Sequence, residues 1–470
     1  MSGEDLAERL RPVLARALGD EAVVLGGFKR LSGGASRETW SFEARLGDGE
    51  VMALVLRRDP PGRPAGAGGG MGMGFEGRLM AAAGAAGVPV PGIVAAVDEE
   101  SPLGSAFLVM TSVPGETIPR RVLRDPEYSE ARRRLARQCG EALAHLHAIA
   151  PGSIPGLAGG DQVEQFRAVA DGLAQPHPVF ELAFRWLEAN RPSPGDEVVV
   201  HGDFRHGNLM VGPEGLRAVL DWELAHLGDP LEDLGWLCVR AWRFGVDRPV
   251  GGFGTYEELI DGYQAAGGRP VDRESLRWWE VLGTLKWGVM CIMQTVAHTS
   301  GALRSVELAA IGRRVCEQEW DLLELLPRPS GSPPAPAPGA DTAEAPVPEP
   351  QPQLHDIPTA SGLVEAVREF VEGDVMGATE GRVRFHARVA ANVLGMVERE
   401  LSLGPEQEAR HRGGLARIGV ADDAELARAI RDGAVDDRLP EVWSVVEETV
   451  RDKLMVANPR HLEGPAPPAP

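Results

Sequence analysis

Apolar residues recur along this chain with two different periods. Compact runs with strand character are Val51 to Arg57 (VMALVLR) and Ala106 to Ser112 (AFLVMTS), and two strand-like stretches within Phe28 to Ala44 flank a turn of small residues. Val198 to Val200 predicts a short strand, and Leu209 to Val211 with Arg217 to Leu220 predict a hairpin after it. Helical spacing takes over elsewhere. Leu135, Cys139, Leu143 and Leu146 share one helix face, as do Leu276, Trp279, Leu282, Leu285, Val289 and Met293 within Arg273 to Ala297. Further on, Leu363, Val364, Val367, Phe370 and Val371 form one stripe, and Phe385, Val389, Val393, Met396 and Val397 form another. Strands early and helices late predict an α+β chain with an all-α segment at its end.

Composition then marks the boundaries. Pro327 to Pro352 is rich in Pro, Ala and Glu, cannot bury an apolar face, and reads as an extended tether. The expected organisation is a strand-rich segment 1–112, a larger segment 113–326, a linker 327–353 and a helical domain 354–458. Pro60 to Gly74 reads as a loop. It runs into Gly72-Met73-Gly74-Phe75-Glu76-Gly77, a literal GxGxxG, but no strand immediately precedes it, so a dinucleotide fingerprint is rejected.

The 470 residues carry a formal net charge of −21, which argues against nucleic acid as a partner because a polyanion needs a basic face. No apolar run reaches the roughly 18 residues of a membrane span. Glu4, Asp5 and Glu8 stand where a secretory leader would carry positive charge, and the four cysteines form no CxxC pair. The expectation is a cytoplasmic protein with reduced thiols.

The chemistry concentrates in VVVHGDFRHGNLMVGPEGLRAVLDWE, residues Val198 to Glu223. Asp203, Asn208 and Asp221 stand at the spacing of kinase-type phosphoryl transfer. That reaction asks the protein chiefly for positioning and charge stabilisation. One carboxylate, Asp203, faces the acceptor hydroxyl and takes its proton. An amide oxygen from Asn208 and a carboxylate from Asp221 suit magnesium, a hard cation. Each residue taken singly fits an ordinary turn; the combination carries the reading.

HGDFRHGNLM followed by VLDWELAHLGDPLEDLGWL resembles the aminoglycoside phosphotransferase and choline kinase superfamily, in particular the branch also found fused to acyl-CoA dehydrogenases. The resemblance covers about residues 20 to 325 and implies a two-lobed protein-kinase-like fold, with the small lobe over 1–112 and the large lobe over 113–326. It makes Asp203 the catalytic base, Asn208 and Asp221 the metal ligands, and Asp229, Pro230 and Asp233 a buttress behind the loop. Ser32, Gly33 and Gly34 would approach nucleotide phosphates. Arg57 stands where the family's strand lysine is expected, with Glu76 as its helix partner, and a guanidinium keeps the charge while altering reach and geometry. Met110 to Val113, with Met110 and Ser112 foremost, would offer backbone groups to the base. From LHDIPTASGLVEAVREFVEGDV onward the chain resembles an uncharacterised helical domain appended to some members of this branch.

The expected function is an ATP- and magnesium-dependent kinase acting on a hydroxyl of a small metabolite, with GTP open as donor. Hydroxyacyl-CoA, hydroxy acids, amino alcohols and aminoglycosides are the acceptor classes implied. The competing class is a pseudokinase that binds nucleotide or metabolite without turnover. The helical domain is assigned no catalytic role, with self-association or a protein contact open to it.

Overall fold

The computed structural model describes residues 2–31, 37–60, 72–98, 101–332 and 358–464. In chain order the elements begin with α1 (Gly3–Leu18), β1 (Val24–Arg30), β2 (Glu38–Arg45), β3 (Val51–Arg58), α2 (Met73–Ala85), β4 (Ile93–Val97), β5 (Phe107–Thr111), α3 (Pro119–Arg124) and α4 (Ser129–His147). Next come α5 (Gln162–Leu173), α6 (Pro178–Ala189), β6 (Val198–Val200), β7 (Leu209–Gly212), β8 (Gly215–Val219), β9 (His226–Gly228), α7 (Leu231–Cys238), α8 (Tyr256–Ala265) and α9 (Arg273–Thr299). The chain continues with α10 (Val306–Ile311), α11 (Val315–Leu325), α12 (Ala360–Phe370), α13 (Met376–Ala378), α14 (Gly381–Ile418), α15 (Asp423–Arg431) and α16 (Leu439–Ala457). The strands and long helices expected from periodicity are present. No helix among the described residues is long and apolar enough to cross a membrane.

Two compact units result: Met1–Gly160 with Ser193–Glu280, apart from the last few residues of the chain, and Asp161–Pro192 with Val281–Ala466. In the first, five antiparallel strands run in the order β1-β2-β3-β5-β4. Alternation sorts their side chains. Leu54, Leu56, Phe107 and Val109 cluster with Leu6, Leu10 and Leu14 of α1, each leucine contributing roughly 2 kcal/mol on burial. Leu108 and Met110 instead join Leu79, Met80 and Ala83 of α2. A capping box between Ser2 and Asp5 starts α1. α4 and α8 cross closely enough that a Cβ on Gly140 would lie 2.3 Å from the Leu259 carbonyl oxygen and one on Gly262 2.2 Å from that of Arg137.

The second unit departs from the expected tether and free helical domain. α15 packs on α6, and α16 packs on both α11 and α14. Arg328, inside the expected linker, forks onto Glu447 of α16 at 2.9 and 2.8 Å. Lys453 meets Glu319 of α11 at 3.2 Å, and Arg431 meets Glu181 of α6 at 2.7 Å. The C-terminal helices therefore share a unit with α5, α6 and α11, and the division expected near 354 does not separate them. The polar positions Glu317, Glu319 and Asp321 of α11 are buried where Asn458, Lys453 and His461 meet them, which a period-counting reading of α11 cannot foresee.

The apolar stripes expected to pair also behave differently. Leu363, Val367 and Phe370 of α12 and Phe385 of α14 are exposed, whereas Ala387, Ala391 and Gly395 are the buried positions of that stretch of α14. Small residues let α12 and α14 approach, while Val364, Val371, Val389, Val393 and Met396 of the expected stripes are half-buried. Trp278 is buried core, and Met293, expected in the α9 stripe, is exposed.

Candidate active site

β6 delivers the chain into His201-Gly202-Asp203, and it pairs with β9 in the register Val198↔Gly228 to Val200↔His226. Gly202 takes φ +75°, and a Cβ there would lie 2.3 Å from the Leu224 carbonyl oxygen, so only glycine makes this turn. Asp233, fully buried at the start of α7, accepts the His201 N–H at 2.7 Å and the Gly202 N–H at 2.9 Å, with His147 Nε2 at 3.2 Å. Burial pushes its carboxyl up, but the His147 contact and the backbone donor of His201 more than offset that and hold it below the usual range. Asp229 caps α7 through the Leu231 N–H at 2.8 Å and pairs with Arg269. The buttress implied by the resemblance thus consists of one carboxylate gripping the turn and another capping the helix.

His201 works in the same frame. Its Nδ1 accepts the Asp203 N–H at 3.2 Å, and its Nε2 lies 3.1 Å from the Leu220 carbonyl oxygen. The neutral ring with a proton on Nε2 satisfies both contacts. Leu220 also donates its N–H to the Asn208 carbonyl at 2.8 Å. The residue before Asp221 is therefore bonded to both ends of the loop from His201 to Asn208. Asp221 itself takes φ +65°, a left-handed conformation that costs a non-glycine residue about 1 kcal/mol.

Asp203 is buried and well supplied with donors. Trp236 Nε1 reaches Oδ1 at 2.8 Å, Asn208 Nδ2 reaches Oδ2 at 2.7 Å, and Arg205 Nε lies 3.0 and 3.2 Å from the two oxygens. Asn208 Nδ2 also donates to the Asp203 carbonyl at 3.0 Å, which turns the amide nitrogen inward and leaves its oxygen as the remaining ligand.

Arg57 joins the small sheet to this loop. Its NH1 donates to Glu76 Oε1 at 2.6 Å and its NH2 to Asp221 Oδ1 at 3.0 Å. Burial works against the cation, but Glu76 and then Asp221 outweigh it and hold the guanidinium charged. Periodicity and resemblance both passed over Arg37. Its NH1 donates to the other Glu76 oxygen at 2.6 Å and lies 3.4 Å from Glu223, while its Nε meets Asp59 at 3.3 Å. Glu223 was missed as well; burial and the neighbouring Asp221 push its carboxyl above the usual range. The DWE triplet was the available signal, two carboxylates at i and i+2. Arg205 and Trp236, also unremarked, lay inside the quoted motifs.

The other expected contacts divide. Ser32, Gly33 and Gly34 lie outside the described residues. Met110 sits on β5 in register with Val55 and Ile93. Ser112 donates its N–H to the Ala53 carbonyl at 2.8 Å, so a base would meet its carbonyl rather than its N–H. Among the described residues, no group of three or more His, Cys, Asp or Glu side chains is arranged to hold a metal. An amide oxygen on Asn208 and a carboxylate on Asp221 nevertheless fit magnesium, which is commonly held by one or two carboxylates with phosphates and water completing its shell.

The family model described as "Phosphotransferase enzyme family" matches residues 27–279, more than half of the chain. The chain belongs to that family. Residues 377–461 match a second model, "Domain of unknown function (DUF6285)". Among curated relatives, acyl-CoA dehydrogenase family member 10 of Mus musculus is 31% identical over 212 residues, 42% of this chain and 19% of its own length. Acyl-CoA dehydrogenase family member 11 of Gallus gallus is 36% identical over 166 residues, 32% of this chain and 21% of its own. This chain thus spans about a fifth of those relatives. A solved structure from Ralstonia eutropha, named a candidate aminoglycoside phosphotransferase, aligns with TM-score 0.54 and 23% identity over 68% of this chain and 97% of that one. The phosphotransferase therefore has the two-lobed kinase-like fold, followed by helices of its own.

Proposed function

We propose that this phosphotransferase is an ATP- and magnesium-dependent kinase that phosphorylates a hydroxyl of a small metabolite. The observation that carries the reading is Arg57, which spans Glu76 and Asp221 while Leu220 ties Asp221 to the loop bearing Asp203 and Asn208. Asp203 takes the acceptor proton, and Arg57 forks onto phosphate oxygens with Glu76 as its anchor. Asn208 and Asp221 would hold magnesium, which when bound neutralises phosphate charge. Asp233 keeps the turn from moving during transfer. GTP is the second donor to try. The name of the relatives directs the first acceptors toward hydroxyacyl-CoA and hydroxy acids, with amino alcohols and aminoglycosides next.

One observation favours a pseudokinase that binds nucleotide or metabolite without turnover: the Asp203 carboxylate is already engaged by Arg205, Asn208 and Trp236. Both readings meet in one assay. The purified chain is incubated with magnesium, γ-labelled ATP and a metabolite extract beside Asp203→Asn. Label on a small molecule with the wild type alone supports the kinase; nucleotide binding without transferred label supports the alternative.

A further inference from the structure

Three donors occupy the base that the acceptor must reach, and only one of them can leave cheaply. A carboxylate offers about four acceptor positions. Trp236 Nε1 and Arg205 Nε share Oδ1 of Asp203, and Asn208 Nδ2 and the same Arg205 Nε share Oδ2. An incoming hydroxyl must displace a donor to give up its proton. Trp236 is 2% exposed, with its ring 5.3 Å from that of Trp242. Asn208 is pinned by a second bond to the Asp203 carbonyl at 3.0 Å. Arg205 has a long flexible stem, a side chain 28% exposed, and one N–H stretched between two oxygens.

The surroundings of Arg205 suit movement. Its guanidinium lies 4.9 Å from the Trp242 ring centroid, a cation–π platform that favours the charge without fixing its hydrogen bonds. A Cβ on Gly207 would lie 2.5 Å from Arg205 NH1, so the glycine leaves room for the group. Its Nε serves Asp203, and no hydrogen bond or ion pair found among the described residues uses its NH1 or NH2.

We infer that Arg205 is a catalytic residue with two stations: it rests on Asp203, and when the acceptor hydroxyl takes its place it pairs with the phosphoryl group in transfer. This rests on the kinase reading above. In the step, the hydroxyl oxygen forms a bond to the γ-phosphorus of ATP, and the bond from that phosphorus to the β,γ-bridging oxygen breaks. The bonding pair leaves with ADP, and the hydroxyl proton passes to Asp203 and then to water. The hydroxyl that bonds to Asp203 also attacks phosphorus, which puts the phosphoryl oxygens beside the base. They are then the anion nearest a guanidinium released from that base. The planar fork matches them, and charge spread over those oxygens is what such a donor stabilises.

A residue that only oriented Asp203 would not sense the phosphoryl group. Affinity for magnesium–ADP, with and without aluminium fluoride as a mimic of the transferring phosphoryl, separates the two roles without a known acceptor. The wild type should bind more tightly when fluoride is added. Arg205→Ala should keep its ADP affinity, which also shows that it folds, while losing about tenfold or more of that gain, and Arg205→Lys should recover part of it. An Arg205→Ala protein that gains as much as the wild type, or a wild type that binds ADP but gains nothing, overturns the proposal. A wild type that does not bind ADP at all is a distinct result: the kinase reading fails, and the proposal with it.

Discussion

Around Glu76 the buried charges lead through Arg57 to Asp221, beside the loop that bears Asp203 and Asn208, whereas around Glu319 they link helices far apart in the chain; the outer members, Asp221 and Lys453, are equally exposed at 36% and 37%. Glu76 holds Arg37 and Arg57, one on each oxygen, and those cations reach onward to Asp59, Glu223 and Asp221. Four carboxylates against two guanidiniums leave a net negative centre, the charge that the proposed magnesium would offset. Glu319 holds His177 at 3.0 Å and Lys453 at 3.2 Å, and both partners come from other helices or their caps. Its neighbours Glu317 and Asp321 are met by Asn458 at 3.0 Å and by His461 at 2.7 Å. The difference teaches what buried charge is for in each place. In the first unit it gathers beside the residues proposed to hold magnesium; in the second it joins distant chain segments.

The largest effect should come from opening the first network at its chemical end. Asp203→Asn should lower kcat by about 10³-fold with nucleotide binding retained, and Asp221→Asn should lower both turnover and magnesium-dependent nucleotide affinity. Steady-state rates beside a nucleotide titration separate the two. Unchanged affinity in Asp221→Asn would remove it from the metal site.

Deleting residues 358–470 tests the second network. α11 would lose Asn458, Lys453 and His461, which meet Glu317, Glu319 and Asp321, so the shortened chain should aggregate or melt well below the full one. A soluble, cooperatively melting fragment that binds nucleotide would show the C-terminal helices to be dispensable, as the tether reading expected.

Acid should reach the two units in different windows. His206, buried between Phe244 and Phe253 with Nδ1 2.7 Å from the Gly251 carbonyl oxygen, is pushed down from 6.5 to about 4, chiefly by burial. With the folded value depressed, the unfolded chain binds the proton first, so stability falls as pH drops from 6.5 toward 4, by about 3 kcal/mol in all. Denaturant midpoints against pH should show that slope, and His206→Gln should flatten it.

Glu319 titrates lower. Burial pushes its carboxyl up, but Lys453 and His177 more than reverse that and bring it from 4.5 to about 2. Its contribution is complete above 4.5 and is lost as pH falls toward 2. Lys453→Met leaves the carboxylate short of a donor and should cost roughly 1–3 kcal/mol at neutral pH, with a smaller further loss below 4.5. Chemical denaturation of the variant across that range checks both parts.

The smallest effect should be Val367→Ser. Periodicity counts this residue as core, but it is 52% exposed on α12, so stability should change by no more than about 0.5 kcal/mol. A loss of several kcal/mol would restore the apolar seam that the spacing suggested.

Much of the first unit was legible in advance. The five-residue step from Asp203 to Asn208 closes a local turn, so its geometry is written into neighbouring residues. Arg57 and Glu76 followed from a strand, a loop and a helix in a known order. Arg37 was not legible, because nothing near it in the chain names Glu76 as its partner, 39 residues away. The C-terminal helices were legible as helices only, since their packing partners, α6 and α11, lie beyond the linker.

The sequence by itself determined the periods of the strands and helices, the turn from His201 to Asn208 and the chemistry its residue types allow, because these depend on contacts a few residues apart. Tertiary structure alone decided which charges are shared around Glu76, that the polar face of α11 is interior, and that alanine and glycine line the seam of α14 while its phenylalanine faces out. A hydrophobic or polar pattern says that a face exists. What covers it is set by segments far along the chain, as Lys453 and Glu319 are at a separation of 134 and Arg37 and Glu76 at 39, and local spacing holds no information about them.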